Sequence, residues 1–235
     1  MTAPTRPALV LAACLAIHVG HASALFAQST TATFPAAPAP VESADPSDTR
    51  LILMPTARTL PRGSLSVTLL DIFLPVAQFG VTDHVTVGAG TVAPAPGVPH
   101  PFVFLAKAQV NRGDRTQAAA GFVNASQVGE ASVGLAYGVV TRGTEDDAWT
   151  GGAGWMYARS GDDAGGVPVA FFGFEHRISP HRKAIADVVV LEGGAFGNVG
   201  LRLMRTRFAA DFAAIIRANP AGPLAGATIT LGWRF

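Results

Sequence analysis

The chain has 235 residues, of which 49% are hydrophobic and 14% charged, and its formal net charge is +1. This length predicts a single domain. A near-neutral chain lacks the basic face or stripe that nucleic acid requires, which argues against a nucleic-acid partner. The single cysteine, Cys14, lies in a predicted export segment, so the exported part can form no intramolecular disulfide.

Residues 1–28 have the three parts of a secretory signal peptide. Arg6 supplies the positive start, Ala8 to Val19 form the apolar stretch, and Ala22-Ser23-Ala24 is a small-x-small cleavage site. We expect Sec-type export with cleavage after Ala24. The residues that end at Cys14 also fit a lipoprotein cleavage box, which leaves lipidation of Cys14 as an alternative.

Residues 29–62 are predicted to form a linker and a lead-in to the folded domain. From Ser29 to about Arg50 the chain is rich in Ala, Pro, Thr and Ser, a composition that cannot bury enough apolar surface to order itself. Residues 51–62 combine an apolar tetrad with two arginines and two prolines, which disfavour a helix. These residues can form a plain periplasmic linker, or an irregular plug that is tolerated at membrane depth because a barrel surrounds it.

Residues 63–235 read as an all-β, antiparallel transmembrane β-barrel. The strands are about 8 to 11 residues long, as tilted membrane-spanning strands require. Twelve are predicted, an even number as a closed bacterial barrel prefers. Ten is the alternative, because Leu69-Leu70 breaks the alternation of the first hairpin and Pro75 removes a backbone donor. The predicted strands are 64–71, 74–80, 84–91, 101–110, 116–124, 131–140, 148–158, 167–177, 183–191, 197–205, 208–216 and 225–235.

Alternation along these strands separates a lipid face from a lumen face. A soluble sandwich also alternates, but 14% charged residues give little cover for so much sheet. The predicted lipid face contains Val85, Val87, Ala89, Phe102, Phe104, Ala106, Ala108, Val133, Leu135, Tyr137, Val139, Trp149, Ala153, Trp155, Tyr157, Val199, Leu201, Leu203, Phe208, Phe212 and Ile216. The predicted lumen face contains His84, Thr86, Lys107, Gln109, Gln117, Ser132, Asn198, Arg202 and Asp211, with small residues such as Gly134, Ala136 and Gly138 that would leave the wall thin.

The last strand, Ala225 to Phe235, has one wholly apolar face and ends on an aromatic residue. It resembles the closing strand of bacterial outer-membrane β-barrels. The resemblance implies that Trp233 and Phe235 form a signal read by the barrel-assembly machinery. It also implies that Phe235 lies at the periplasmic side, which makes the external connections the longer set, richer in Pro and Gly.

A second stretch, Leu74 to Gly90, carries a related resemblance. Phe79-Gly80-Val81-Thr82-Asp83 is predicted to make a tight turn between two alternating strands. This unit, with the preceding residues 55–63, resembles uncharacterised bacterial outer-membrane barrels of porin-like type. The resemblance implies an architecture and an outer-membrane location, and it implies no catalytic residues.

Catalytic and metal sites find little support in the sequence. Glu175, His176 and Ser179 lie close together, but positions 176 and 179 of a strand point to opposite faces. The sequence contains neither a Gly-x-Ser-x-Gly elbow nor a Cys/His metal spacing. Asp162-Asp163 is better explained as an acidic external turn than as a calcium site. We therefore predict no enzyme activity, no metal and no cofactor.

The predicted lumen charges are the most informative chemistry. They can pair across neighbouring strands and neutralise one another, or they can line a polar path through a barrel too wide for side chains alone to fill. The candidates are Lys107, Glu175, Arg177, Asp187, Arg202, Asp211 and Arg234.

The sequence thus predicts an outer-membrane β-barrel that acts as a small passive channel for small solutes. A non-conducting structural barrel is the alternative, and a lipid-modifying barrel enzyme ranks third. Outer-membrane lipid and the barrel-assembly machinery are the expected partners. The sequence does not predict an oligomeric state.

Overall fold

The computed structural model describes residues 45–91, 101–127, 131–218 and 224–235. The predicted signal peptide and most of the Ala/Pro-rich stretch lie outside these residues. No helix in the described ranges is long and apolar enough to span a membrane. The described residues form the strands β1 Leu65–Leu70, β2 Leu74–Thr82, β3 Val85–Thr91, β4 Phe102–Arg112, β5 Thr116–Gln127, β6 Ala131–Gly143, β7 Asp147–Ser160, β8 Asp163–Ser179, β9 Arg182–Leu191, β10 Gly194–Met204, β11 Phe208–Ala218 and β12 Leu224–Arg234.

The strands close into one antiparallel barrel. Each strand pairs with its neighbours in sequence, and β1 pairs with β12 to complete the cylinder, with Val67 opposite Trp233 and Leu69 opposite Leu231. The described residues therefore give twelve strands, as predicted, and the ten-stranded alternative is wrong. We call the end at which β1 begins and β12 ends the terminal end, and the opposite end the far end.

The first hairpin forms although its sequence alternates poorly. Its turn places Asp71 and Ile72 at positive φ angles of 48° and 58°. The Asp71 carboxylate accepts a hydrogen bond from the Thr228 hydroxyl and one from the Ile229 backbone N–H at 3.3 Å, which ties this turn to β12. Pro75 lies in β2 opposite Leu69, and the pairing continues on both sides of it. Barrel closure therefore outweighs the weak local pattern.

Gly80 has a different role from the one its sequence context predicts. The turn between β2 and β3 lies at Asp83 and His84, and β2 continues through Gly80 with an irregularity in its register. A Cβ atom at Gly80 would lie 2.1 Å from the Pro61 carbonyl oxygen. Glycine is needed here because the chain that enters β1 passes directly against β2.

The outer face of most strands agrees with the predicted lipid face. Residues of β3, β4, β7, β10, β11 and β12 that were assigned outward point away from the lumen, and several are largely exposed, including Phe104 at 52%, Trp155 at 53% and Val199 at 55%. Trp149 stacks on Phe172 of the neighbouring strand with 5.4 Å between ring centroids. The barrel thus presents a broad apolar outer surface.

Strand β6 faces opposite to the prediction. Leu135 and Val139 are buried inside the barrel in a cluster with Ala57 and Phe171. Ser132, Gly134, Ala136 and Gly138 consequently face outward, so the thin wall does not face the lumen. Residues 131–140 of β6, the predicted strand, carry no charge on either face, so alternation alone could not decide between the two faces. The apolar chain inside the barrel decides it by packing against the larger side chains.

Arginine at Val199 is expected to lower the free energy of unfolding by about 2–4 kcal/mol, because Val199 lies exposed at the middle of β10 where the bilayer is most apolar. Ile178→Arg is the matched control, because Ile178 is 58% exposed but lies at the terminal end of β8. Its cost is expected to be about 0–1 kcal/mol. Urea unfolding in lipid vesicles measures both. Equal costs would contradict the assigned depth of Val199.

Candidate functional site

Residues 45–60 lie inside the barrel and, together with the exposed Pro61 and Arg62 at its terminal end, form what we call the lumen segment. It is a hairpin: Arg50 bridges to Pro55, the Leu51 N–H donates to the Met54 carbonyl at 2.8 Å, and the Thr56 N–H donates to the Thr49 carbonyl at 3.1 Å. The tip is therefore residues 51–54. The apolar side chains along the hairpin are removed from solvent, with 0% exposure at Leu51, Ile52, Ala57 and Leu60.

Arg202 of β10 holds the first arm of this hairpin. It is fully buried, and it forms an ion pair with Asp211 of β11 at 2.7 Å and one with Asp45 of the lumen segment at 2.9 Å. Its remaining N–H groups donate to the carbonyls of Ser47 and Leu51, both at 2.9 Å. One planar guanidinium thus joins two wall strands to two turns of the segment, which a lysine could not do.

A second buried chain of charges runs beside it. Lys183 of β9 lies 2.9 Å from both Asp45 and Glu175, and Glu175 pairs in turn with Arg58 of the second arm. Burial alone would raise the pKa of Asp45, but the charges of Arg202 and Lys183 hold it well below its usual range. Asp45 therefore stays ionised at neutral pH, and both arms of the hairpin are tied to the wall by charge.

The hairpin tip is held by Asp187 of β9. Its Oδ2 atom accepts the backbone N–H groups of Ile52 at 2.9 Å and Leu53 at 3.1 Å. Its other oxygen accepts a hydrogen bond from the Asn198 side-chain amide. An irregular turn surrounded by a barrel must find partners for its N–H groups, and Asp187 supplies two of them.

Two hydroxyls and one lysine of the barrel wall form hydrogen bonds with the backbone of the second arm. The Ala57 N–H donates to the Thr141 hydroxyl and the Leu60 N–H to the Thr86 hydroxyl, both at 2.9 Å. The buried Lys107 ammonium donates to the carbonyls of Thr49 and Thr56 at 3.0 and 3.1 Å, and so clamps the two arms together. The wall thus matches the backbone of the segment along its length.

The seven predicted lumen residues all point into the barrel, and most bind the lumen segment rather than line an open path. Arg202 pairs with Asp211 across neighbouring strands, which agrees with the alternative that the lumen charges neutralise one another. Arg234 pairs with Asp48 of the segment, and Arg177 pairs with Asp146 near the terminal end. The other three are Lys107, Glu175 and Asp187, described above with their contacts to the segment.

The sequence analysis missed the partners of these residues. Lys183 lies four residues before Asp187 on the same face of β9, so alternation alone would have placed it inward. Asp45 and Asp48 fell in the stretch to about Arg50 that was expected to be an unordered linker. The structure instead buries Asp45, Ser47 and Thr49. Composition misled here because charge pairing and backbone hydrogen bonds, rather than apolar burial, order this arm.

The lumen segment leaves part of the terminal half unfilled. A cavity of about 470 Å³ lies between the second arm and strands β4 to β6. Its polar lining includes Arg58, Gln109, Gln117 and Glu145. This recess shows that the fit between segment and wall is looser on this side than on the side of Arg202.

The residues considered for catalysis are not brought together. Glu175 points inward to Lys183, whereas His176 lies on the exposed face beside Asp147 of the adjacent strand. Asp162 lies in the exposed far-end turn between β7 and β8. Within the described ranges no group of three His, Cys, Asp or Glu side chains is placed to hold a metal ion.

The predicted assembly residues occupy the terminal end. The Phe235 N–H donates to the Leu65 carbonyl at 2.7 Å, and the Phe235 carbonyl accepts the Leu65 N–H at 3.1 Å, so the last residue extends the closing pair. Trp233 packs on Phe208 with 5.2 Å between ring centroids, and the Phe235 side chain is 64% exposed. The aromatic ring is thus accessible at the rim.

Deletion of Phe235 is expected to lower membrane insertion while leaving export intact, because the exposed ring resembles the signal read during assembly. The measurement is the amount of heat-modifiable barrel in the membrane fraction. Phe79→Ala, which removes an aromatic ring that is 44% exposed elsewhere on the barrel, is the control. Normal insertion of the deletion variant would contradict a signalling role for Phe235.

Comparison with known proteins identifies the fold. No family model matches the chain, and no curated protein matches it. The structure is similar to that of KdgM porin in complex with disordered oligogalacturonate, with a TM-score of 0.56 at 9% identity over 73% of this chain and 98% of that chain. KdgM porin alone gives a TM-score of 0.55 at 9% identity with the same coverage. A third comparison is with the N-terminal β-barrel domain of Pseudomonas aeruginosa OprF, which is 11% identical over 75% of this chain and all of that domain. Its TM-score is only 0.23, which is too low to support a shared fold. The chain therefore has the porin-like barrel fold that its sequence predicts.

Proposed function

We propose that this protein is an outer-membrane channel for small solutes, closed by its own lumen segment. The observation that carries the proposal is a set of charged side chains on the inner wall: Lys107, Lys183, Arg202, Asp187 and Asp211 bind the hairpin through hydrogen bonds and ion pairs alone. If the hairpin moves out of the lumen, the same charges line a water-filled path. The fold it shares with KdgM porin supports a transport role rather than a catalytic one.

The proposed orientation places the terminal end at the periplasm, with outer-membrane lipid around the apolar outer face. A predicted signal peptide at residues 1–28 and assembly residues Trp233 and Phe235 support this location. The hairpin then enters from the periplasmic side. A periplasmic event that loosens its arms would open the channel.

A non-conducting structural barrel is the second candidate, and the burial of Arg202 among six hydrogen-bond acceptor atoms favours it. A hairpin held this tightly could be a permanent core. The two candidates differ in whether the hairpin must move for ions to pass.

A reversible cross-link separates them. Ala57→Cys with Thr141→Cys places thiols on two neighbouring residues, since the Ala57 backbone N–H now donates to the Thr141 hydroxyl at 2.9 Å. Mature protein cleaved as predicted has no other thiol. A gated channel is expected to show conductance steps in planar bilayers when reduced and none when oxidised. The Ala57→Cys variant alone is the control, and its conductance should be the same in the reduced and oxidised states. Equal conductance in both states would reject gating by the segment, and silence in both would favour the structural barrel.

A further inference from the structure

The turns at the terminal end of the barrel differ in their charges. The turns after β2, β4 and β6 each carry a carboxylate that forms no ion pair with any described residue: Asp83, Asp114 and Glu145. Two further carboxylates near the turn after β6 are engaged, in the pairs Asp146–Arg177 and Asp147–His176. The turns after β8 and β10 carry no carboxylate. Uncompensated positive charge is therefore concentrated at these two turns.

Three exposed arginines supply this charge. Arg182 is the first residue of β9, and Arg205 and Arg207 lie in the turn after β10. Within the described ranges no carboxylate forms an ion pair with any of the three. An exposed arginine with a free carboxylate beside it is partly neutralised, but these three have none in their own turns. The two turns thus form the most basic part of the terminal end.

The two turns lie side by side. Arg182 is paired with Leu203 across β9 and β10, and the Met204 N–H donates to the His181 carbonyl at 2.8 Å, so the pairing continues past the end of β10. Arg182 and Arg205 are consequently diagonal neighbours in the sheet, about 7–8 Å apart. Two arginine side chains rooted at this separation can reach the same phosphate group.

Both arginines lie on the side of the sheet that faces lipid. Lys183 points into the lumen, so Arg182, the preceding residue of the same strand, points outward. Leu203, its partner on β10, is 39% exposed on the outer face, and Arg205 follows two residues later. The cations therefore stand at the terminal edge of the apolar outer surface, where the head groups of the surrounding lipid lie.

A shallow furrow leads from Arg182 towards the middle of the outer surface. Its floor is formed by the small side chains of Ala184 and Ala186 on β9. Larger side chains flank it on the neighbouring strands, with Leu201 of β10 opposite Ala184 and Phe174 of β8 opposite Ala186. The two alanines are half-buried although they point outward, because the flanking side chains shield them. The furrow is one side chain wide, which suits an acyl chain lying along the strand.

We infer that this surface binds one anionic phospholipid, with its phosphate between Arg182 and Arg205 and one acyl chain in the furrow. Arginine donates two parallel N–H groups to phosphate oxygens, and cations at a membrane surface attract anionic head groups. The charge selects an anionic lipid over a zwitterionic one, and the furrow selects a lipid over a free phosphate. With the terminal end at the periplasm, as proposed above, the lipid comes from the periplasmic leaflet. Binding requires no conduction.

Native mass spectrometry of the mature protein, titrated in detergent with phosphatidylglycerol or phosphatidylcholine of the same acyl chains, tests this inference. One phosphatidylglycerol is expected to bind at least about tenfold more tightly than phosphatidylcholine. Arg182→Gln with Arg205→Gln should remove this preference and leave phosphatidylcholine binding unchanged. Arg115→Gln with Arg142→Gln is the matched control, because it removes the same charge from exposed positions at turns that carry a free carboxylate. The control should keep the preference.

A second pair of variants tests the furrow without changing any charge. Ala186→Phe fills the furrow and should weaken phosphatidylglycerol binding severalfold. Ala153→Phe, at an exposed position on β7, is its control and should bind as the unsubstituted protein does. Heat-modifiability of each variant shows that its barrel is folded.

Four results would overturn the inference: equal affinity of the unsubstituted protein for the two lipids, equal losses in the two arginine pairs, no effect of Ala186→Phe, or displacement of the bound lipid by soluble glycerol phosphate, which would indicate a site for free phosphate. Because binding is measured without ion flow, a failure here leaves the conductance test of the channel unaffected. Unfolding measurements in vesicles of phosphatidylcholine, which carry no net charge, do not depend on this surface.

Discussion

Removal of residues 29–62 is expected to raise the single-channel conductance of the barrel severalfold or more. The lumen segment occupies the terminal half of a twelve-stranded barrel, which is wider than side chains alone can fill. Its removal leaves the wall hydrogen bonds between strands intact, and it lets water reach the charges that now bind the hairpin. Planar bilayer recordings of the refolded deletion variant measure the change.

Deletion of residues 29–44 alone is the matched control, because it shortens the same terminus and leaves the lumen segment in place. Its conductance should equal that of the full mature chain. Unchanged conductance after the longer deletion, with a folded barrel, would show that a constriction other than the lumen segment closes the lumen. The lumen segment would then not be the element that controls conduction.

The emptied lumen should also prefer anions. The inward wall carries Lys107, Lys183 and Arg202 against Glu175, Asp187 and Asp211 near the hairpin. Arg177 keeps Asp146 as its partner, whereas Arg217 and Arg234 add positive charge towards the two ends, because Asp48, the partner of Arg234, is removed with the segment. A lumen lined by an excess of one sign concentrates the opposite ion. A reversal potential under a KCl gradient that indicates cation preference would contradict this balance of charges.

The strands could be predicted closely because each carries its own local signal. An apolar residue at every second position, bounded by turn residues, determines a strand without reference to the rest of the chain. The observed strands from β3 to β12 begin within four residues of the predicted ones. Hairpin connectivity then gives a meander, and an even strand number gives closure.

The occupant of the lumen could not be predicted in the same way. Residues 45–50 look like a linker because their ordering depends on partners far along the chain, such as Lys183 and Arg202, about 140 to 160 residues away. No local pattern records such contacts. The apolar tetrad at residues 51–54, two arginines and two prolines did allow a plug as one of two alternatives, and the structure places these residues inside the barrel.

The wrong prediction of which face of β6 points inward also comes from contacts with residues far along the chain. Facing can be read from alternation only where one side is clearly polar, as in β10 with Asn198 and Arg202. In the predicted part of β6, residues 131–140, both sides are uncharged. The choice of face depends on the lumen segment, because Ala57 joins the buried cluster that contains Leu135 and Val139 and Met54 packs against it. A prediction that leaves the lumen empty must therefore place the larger side chains towards lipid.

Replacement of Arg202 by alanine is expected to cost about 3–5 kcal/mol of unfolding free energy, the range for breaking a buried ion pair from one side. Asp45 and Asp211 would each keep one cation, Lys183 and Arg50 respectively. The carbonyls of Ser47 and Leu51 would each lose the 2.9 Å hydrogen bond from Arg202 and keep only a donor from Arg50, at 3.3 and 3.0 Å respectively. Arg205→Ala, at an exposed position after the same strand, should change stability by no more than about 0.5 kcal/mol.

The informative measurement is the coupling between Arg202→Ala and removal of residues 29–62. Without the segment, Arg202 has lost Asp45 and the carbonyls, and it sits in water beside Asp211. Its replacement should then cost at least about 1 kcal/mol less than in the full mature chain, as expected for groups in direct contact. Urea unfolding of the four proteins in vesicles gives this difference. Strictly additive costs would mean that Arg202 stabilises the wall alone, and that the lumen segment is held by its other contacts.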